Sequence, residues 1–227
     1  MLVYRSDPTS HSLHMVTSNR KNCIKTLQAG LDPRLVASLP FLHALSGCDT
    51  TSRPYGIGKG TVLSKYVELH QFATVFMSPS SSHEEIKQAG EQALLIVYGS
   101  STSDLNAARV EKFQAKVATS SGIVLPEKLP PTSDAATQHS LRVYHQVQAW
   151  HGNDLPPENI GWRKTRIGFK PVTMLNSAAP ESLLHIIRCN CNGKCETRRC
   201  TCRKNGLRCT SACGQCKGLT CENDIQT

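Results

Sequence analysis

The chain has 227 residues, 39% of them hydrophobic and only 5% aromatic, with a net charge of +9. That size allows one modest domain and a small one, and the shortage of aromatics argues against a large rigid core. No apolar run approaches the roughly 20 residues that a membrane-spanning helix needs, and Met1 to Asp7 lack the apolar stretch of a secretory signal, so the reading is an intracellular protein with no membrane partner.

Residues 2–4 and 12–17 read as short strands, with Ser6 to Ser10 as the turn between them. Asp32-Pro33 starts a helix, and Leu35, Val36, Leu39, Leu42 and Leu45 follow at helical spacing, with Pro40 as a kink and Gly47 as the stop. A helical stretch after Gly60 carries Val62, Leu63, Tyr66, Val67 and Leu69 as its apolar side and breaks at Ser78 to Ser82. Helices are expected at about 83–98 and 104–118, the second with Val110, Phe113 and Val117 at i, i+3 and i+7. Residues 119–133, with Pro126, Pro130 and Pro131, form a connector, and 135–151 make an amphipathic helix bearing Leu141, Val143, Tyr144, Val147 and Trp150. Residues 152–180 are rich in Pro, Gly and Asn and read as irregular, with Trp162 and Phe169 as anchors, before a last apolar patch of Leu183, Leu184, Ile186 and Ile187. The expected fold is mainly α with a small β remnant at the N-terminus and a small irregular cysteine-rich module at the C-terminus. The expected divisions are 1–75, 76–151, an irregular connector 152–187, and the module 188–223.

Cysteine usage is lopsided. Of eleven cysteines only Cys23 and Cys48 precede residue 189; the other nine are Cys189, Cys191, Cys195, Cys200, Cys202, Cys209, Cys213, Cys216 and Cys221. An odd-numbered cluster in a reducing compartment points to metal rather than disulfides. Thiolates are soft ligands, and zinc takes four of them in a tetrahedron. Three such tetrahedra need twelve bonds, which nine sulfurs supply when three of them bridge two metals each. Apart from Leu207, Ala212 and Leu219 the segment has few apolar side chains, so metal must supply its folding energy. Residues 189–221 hold seven Lys or Arg against one acid, a charge of +6. With nine thiolates and three Zn²⁺ that falls to +3, which predicts weak, salt-sensitive affinity for a polyanion.

Arg188-Cys189-Asn190-Cys191 and Arg199-Cys200-Thr201-Cys202-Arg203-Lys204-Asn205-Gly206-Leu207-Arg208-Cys209 resemble one CXC repeat of the tesmin-type (cysteine-rich, CRC) family. The resemblance covers about 35 residues and implies three zinc ions per chain, a nuclear location and contact with DNA. DNA-binding members carry a tyrosine before the second Cys-x-Cys that enters the minor groove, usually in two tandem repeats. This chain has Arg199 there and one repeat, so zinc binding carries over better than sequence-specific reading. Arginine suits the enhanced negative potential of a narrow groove, and Arg198, Arg199, Arg203 and Lys204 are the expected DNA contacts. The same nine-cysteine arrangement also occurs as a structural module beside SET-domain methyltransferases, so a role in holding a protein partner stays open.

Residues 41–60 contain Gly47-Cys48-Asp49 and, seven residues on, Gly56-Ile57-Gly58-Lys59. Glycines between two helical patterns permit close approach of backbone N–H groups to a phosphate. The stretch resembles flap-endonuclease-like (PIN-like) nucleases over roughly residues 1–75. That resemblance implies Asp49 as a remnant metal carboxylate, with Mg²⁺ in a longer form, and Gly56, Ile57, Gly58 and Lys59 as a DNA-gripping hairpin. Two-metal cleavage needs several converging carboxylates, and the first 49 residues hold only Asp7, Asp32 and Asp49. The chain is therefore expected not to cleave DNA by itself, and to resemble the C-terminal part of a longer nuclease-like ancestor. Together with Gly161-Trp162 and the CXC repeat, this segment is similar to animal proteins derived from mobile elements.

Overall fold

A computed structural model describes residues 13–119, 124, 126–176, 188–209, 213–218 and 221–223. The chain divides into two compact units, residues 1–176 and 177–227. The fold is mainly α with two small two-stranded sheets.

The first unit opens with an antiparallel pair, β1 (His14–Val16) and β2 (Lys21–Cys23), in the register His14 opposite Cys23. A turn closes it, with the Thr17 N–H donating to the Arg20 carbonyl at 2.8 Å. The partner of His14–Val16 is thus the strand that follows it; the expected strand at 2–4 and turn at 6–10 lie outside the described residues. Helix α1 (Ile24–Ala29) then buries Ile24.

Helix α2 (Pro33–Leu45) begins as Asp32-Pro33 predicts. The Asp32 carboxylate accepts from the Arg34 backbone N–H at 2.8 Å, and proline at the first turn loses no helical bond. The Arg34 side chain, its backbone N–H and the Tyr66 hydroxyl at 3.1 Å together hold the Asp32 carboxyl well below the usual range. Its core face comes from Phe41, Leu42, Ala44 and Leu45, while Leu35, Val36 and Leu39 are half-buried.

The stretch after Gly58 is two helices, α3 (Lys59–Ser64) and α4 (Tyr66–Met77), broken at Lys65. The break shifts the helical phase. Val62 and Leu69 are buried as expected, but Leu63 and Val67 face solvent, and Ala73 and Phe76 complete the inner face. Helix α5 (His83–Tyr98) starts on a capping box between Ser82 and Glu85, and α6 (Leu105–Thr119) follows. Among the described side chains of α6 the buried ones are Leu105 and Ala108, whereas Val110 and Phe113 are exposed; the side chain of Val117 lies outside the described residues.

Helix α7 (Ser133–His151) packs against α2, α4 and α5. Its Leu141, Val143, Tyr144 and Val147 join Phe41, Leu45, Phe76, Leu94 and others in one core, in which the Phe41 and Phe76 rings stack at 4.5 Å. That core draws on helices either side of residue 75, so no core boundary falls there. Gly90 lets α5 and α7 approach closely, since a methyl group on it would overlap the Ser140 side chain. Polar residues of α7 are buried with partners. Gln148 donates to the Phe76 carbonyl at 2.8 Å. The His139 ring lies 3.0 Å from the Ser52 hydroxyl and 3.1 Å from the Leu45 carbonyl.

Residues 152–180, expected to be irregular, contain a hairpin of β3 (Trp162–Thr165) and β4 (Gly168–Pro171), paired with Trp162 opposite Pro171 and Arg163 opposite Lys170. Gly161 sits against α7 where any side chain would strike Arg142. Arg142 in turn donates to the Gly161 and Val172 carbonyls at the hairpin's root. Phe169 is not an anchor; it is exposed.

Candidate metal centre

Among the described residues of the second unit the buried side chains are those of cysteines. Seven of the nine have relative exposures of 5% or less, and Cys191 and Cys221 pack against them half-buried. The backbone that brings them together is tightly turned. Lys194 and Cys195 both adopt positive φ, 48° and 45°, a region that non-glycine residues enter at a cost, and more often at functional sites. Cys200 caps the short helix α8 (Thr201–Lys204), whose Lys204 N–H donates to the Cys200 carbonyl at 2.8 Å. Long-range backbone bonds close the unit: Gly214 N–H to the Cys189 carbonyl, Cys209 N–H to the Asn223 carbonyl and Glu222 N–H to the Lys194 carbonyl, each 3.0 Å. Asn223 also donates through its side chain to the Leu207 carbonyl at 2.9 Å and to the Cys209 sulfur at 3.4 Å.

The sulfur geometry is that of a metal site. Zn–S bonds of about 2.3 Å at the tetrahedral angle place ligand sulfurs about 3.8 Å apart. Cys189 Sγ lies 3.8 Å from Cys195, 3.7 Å from Cys209 and 3.8 Å from Cys216. Cys200 is 3.9 Å from Cys209, and Cys202 is 3.6 Å from Cys213. All nine thiols are free, with no disulfide among them. Three overlapping foursomes are close enough to share an ion: Cys189, Cys191, Cys195 and Cys200; Cys189, Cys195, Cys209 and Cys216; and Cys189, Cys200, Cys202 and Cys209. Cys189 belongs to all three and Cys195, Cys200 and Cys209 to two each, so the foursomes overlap in one cluster rather than forming three separate sites. Cys213 and Cys221 fall in none of the three. This is a metal-binding cysteine cluster, and zinc fits its donor set.

Its electrostatics demand a cation. Burial pushes the Cys189 thiol up to about 12 and the Cys202 thiol up to about 11, and it raises Cys195 and Cys209 too. Burial opposes ionisation of Cys200 as well, but the Arg203 backbone N–H and the Cys189 and Cys209 thiols outweigh it and bring that group down to about 7. So many buried sulfurs cannot all ionise without compensation. A divalent metal supplies it, since coordination deprotonates a thiol outright.

The expected DNA contacts of this unit lie on its outside. Arg198, Arg199 and Lys204 are exposed. Arg203 is exposed too, but its guanidinium also reaches the Cys195 carbonyl at 3.3 Å, which ties it to the turn that ends at Cys195. The hydrogen bond of Asn223 to a ligand sulfur gave no signal in the cysteine spacing.

In the first unit the Gly47-to-Gly58 segment is built into the fold. Ile57, expected in a DNA-gripping hairpin, is 6% exposed, and its N–H donates to the Pro54 carbonyl at 3.1 Å. Lys59 folds back on the C-terminal end of α2, with its ammonium 2.8 Å from the Gly47 carbonyl and 3.1 Å from the His43 ring. That position neutralises the negative end of the helix and leaves Lys59 engaged. Gly56 has φ of 73° and Gly58 caps α3. Arg53, which the sequence did not single out, secures the turn by donating to the Ile57 carbonyl at 2.9 Å. Asp49 is exposed, and among the described residues no other carboxylate joins it in a group able to hold a metal; the groups found are all cysteine.

Comparisons with protein-family models, with curated proteins and with solved structures each found no match to this chain.

Proposed function

We infer that residues 188–223 bind three zinc ions as a CXC-type module and that the module contacts DNA, placing the protein in the nucleus. The observation that carries the zinc reading is the convergence of nine free thiols in one cluster, with the sulfurs of Cys189, Cys195, Cys200, Cys202, Cys209, Cys213 and Cys216 at spacings close to a ZnS₄ tetrahedron's edge. The count of three is supported by the donor arithmetic, since nine thiolates complete three tetrahedra when three of them bridge, and by the resemblance to the CXC repeat. The DNA reading is supported by the exposed cations bracketing the second Cys-x-Cys pair and by the resemblance to the tesmin-type repeat, with Arg199 at the groove-entering position.

The test is duplex binding across a salt series, with zinc content measured in each sample. Each phosphate neutralised should contribute a slope of about −0.9 in log affinity against log salt. Arg199→Ala should weaken binding more than Lys217→Ala, with zinc retained in both because no ligand is touched. Salt-independent binding that is equal in all three proteins would leave the arginines as solvated charges and favour a structural module.

A further inference from the structure

The basic excess of the chain has two seats. Residues 189–221 carry +6, and residues 159–176 carry Arg163, Lys164, Arg166 and Lys170 with no acid, so the remaining residues sum to −1. All four of these cations belong to the β3–β4 hairpin or its turn, all four are exposed, and no described acid pairs with any of them. Arg163 and Lys170 sit directly opposite each other across the ladder. Like charges in that position destabilise a hairpin, so folding alone does not favour this pairing; an anion laid against it would relieve the repulsion. At the tip, Ile167 is 89% exposed.

The root, by contrast, is fixed. The Val172 N–H donates to the Gly161 carbonyl at 2.9 Å, and Arg142 grips both residues' carbonyls from α7. Beyond β4, the Leu175 and Asn176 N–H groups donate to the Asp134 carboxylate at 2.7 and 2.6 Å. The hairpin is thus held rigidly at its base and presents a cationic ribbon ending in one bare aliphatic side chain.

We propose that the Trp162–Pro171 hairpin is a DNA-contacting ribbon, in which Arg163, Lys164, Arg166 and Lys170 meet the phosphate backbone and Ile167 meets the bases. A two-stranded ribbon fits the B-form major groove, roughly 12 Å wide, whereas the deep, narrow major groove of duplex RNA excludes it. In the B-form groove an aliphatic side chain at the ribbon's tip can make apolar contact with a thymine methyl group. The contact lies in the first unit and stands independently of the zinc cluster.

The experiment uses the full zinc-loaded chain and a short random-sequence DNA duplex, read by fluorescence anisotropy across a salt series. Replacing Arg163, Arg166 and Lys170 together by Ala should reduce the salt slope by about 2.7, three phosphates' worth, with unchanged zinc content. Lys170→Glu separates binding from folding: it pairs with Arg163, so the protein should melt no lower than wild type while DNA affinity falls. Ile167→Ser should weaken binding yet leave the slope unaltered. An Arg199→Ala arm reports on the cluster, and its result leaves this proposal untouched either way. A triple variant with the wild-type slope would overturn the proposal. So would affinity lost only together with the fold, stronger binding to duplex RNA than to DNA, or a loss confined to phosphatidylserine vesicles.

Discussion

His139 shows how a residue whose role is structural can still govern a pH response. Burial first, then the nearby Arg142 charge, hold its imidazole down to about 4, only partly offset by the Leu45 carbonyl. In the unfolded chain the ring titrates near 6.5. The folded state therefore binds fewer protons in that interval. Its contribution is fully present above pH ~6.5 and is lost as pH falls toward 4, a change of about 3 kcal/mol. Urea unfolding followed by the fluorescence of Trp150 and Trp162, both in the first unit, should show that decline, and His139→Gln should flatten it. Gly90 makes a second case. Alanine normally favours a helix over glycine, but a methyl there would overlap Ser140, so Gly90→Ala should cost about 1–3 kcal/mol. In a Ser140→Gly background the same change should cost far less, because its neighbour has gone. Neither constraint could be read from the sequence, since both depend on which helix faces which.

At the level of elements, the helices with chemical punctuation were legible. Asp32-Pro33 before α2 and the serine break at 78–82 before α5 mark starts that the structure places at the same residues. Less legible was which face turns inward. Val110 and Phe113 keep helical spacing yet are exposed, because α6 buries the neighbouring Leu105 and Ala108; periodicity gives a stripe but not its partner. Lys65 broke the 60–69 stretch for a similar reason, shifting phase at one residue so that Leu63 and Val67 point outward. The hairpin at 162–171 was missed because four cations interrupt its alternation and because its anchor, Arg142, lies in a distant helix. Removing the α5 cap by Ser82→Ala should lower stability by about 1 kcal/mol, measurable as a shift in the urea midpoint without a change in its slope.

Across the whole molecule, the two units draw on different sources of stability. Among the described residues of the first unit the helices share one continuous apolar core. In the second unit the buried cluster consists of cysteines, which cannot supply the same burial energy and are linked to metal instead. Zinc chelation should therefore unfold the second unit and leave tryptophan fluorescence and the urea transition of the first essentially unchanged. The cysteine cluster was readable from spacing alone because metal geometry constrains sequence locally. Which sulfurs lie together was not, because Cys189 reaches its neighbours at Cys195, Cys209 and Cys216 only through the fold. The central claim is that these nine thiols are a zinc centre, and native mass spectrometry of the full chain purified with zinc tests it most directly. Three zinc ions per chain, nine protons displaced from the cluster and no disulfide are the expected result; a metal-free chain, a single ion, or cysteines joined as disulfides would contradict it.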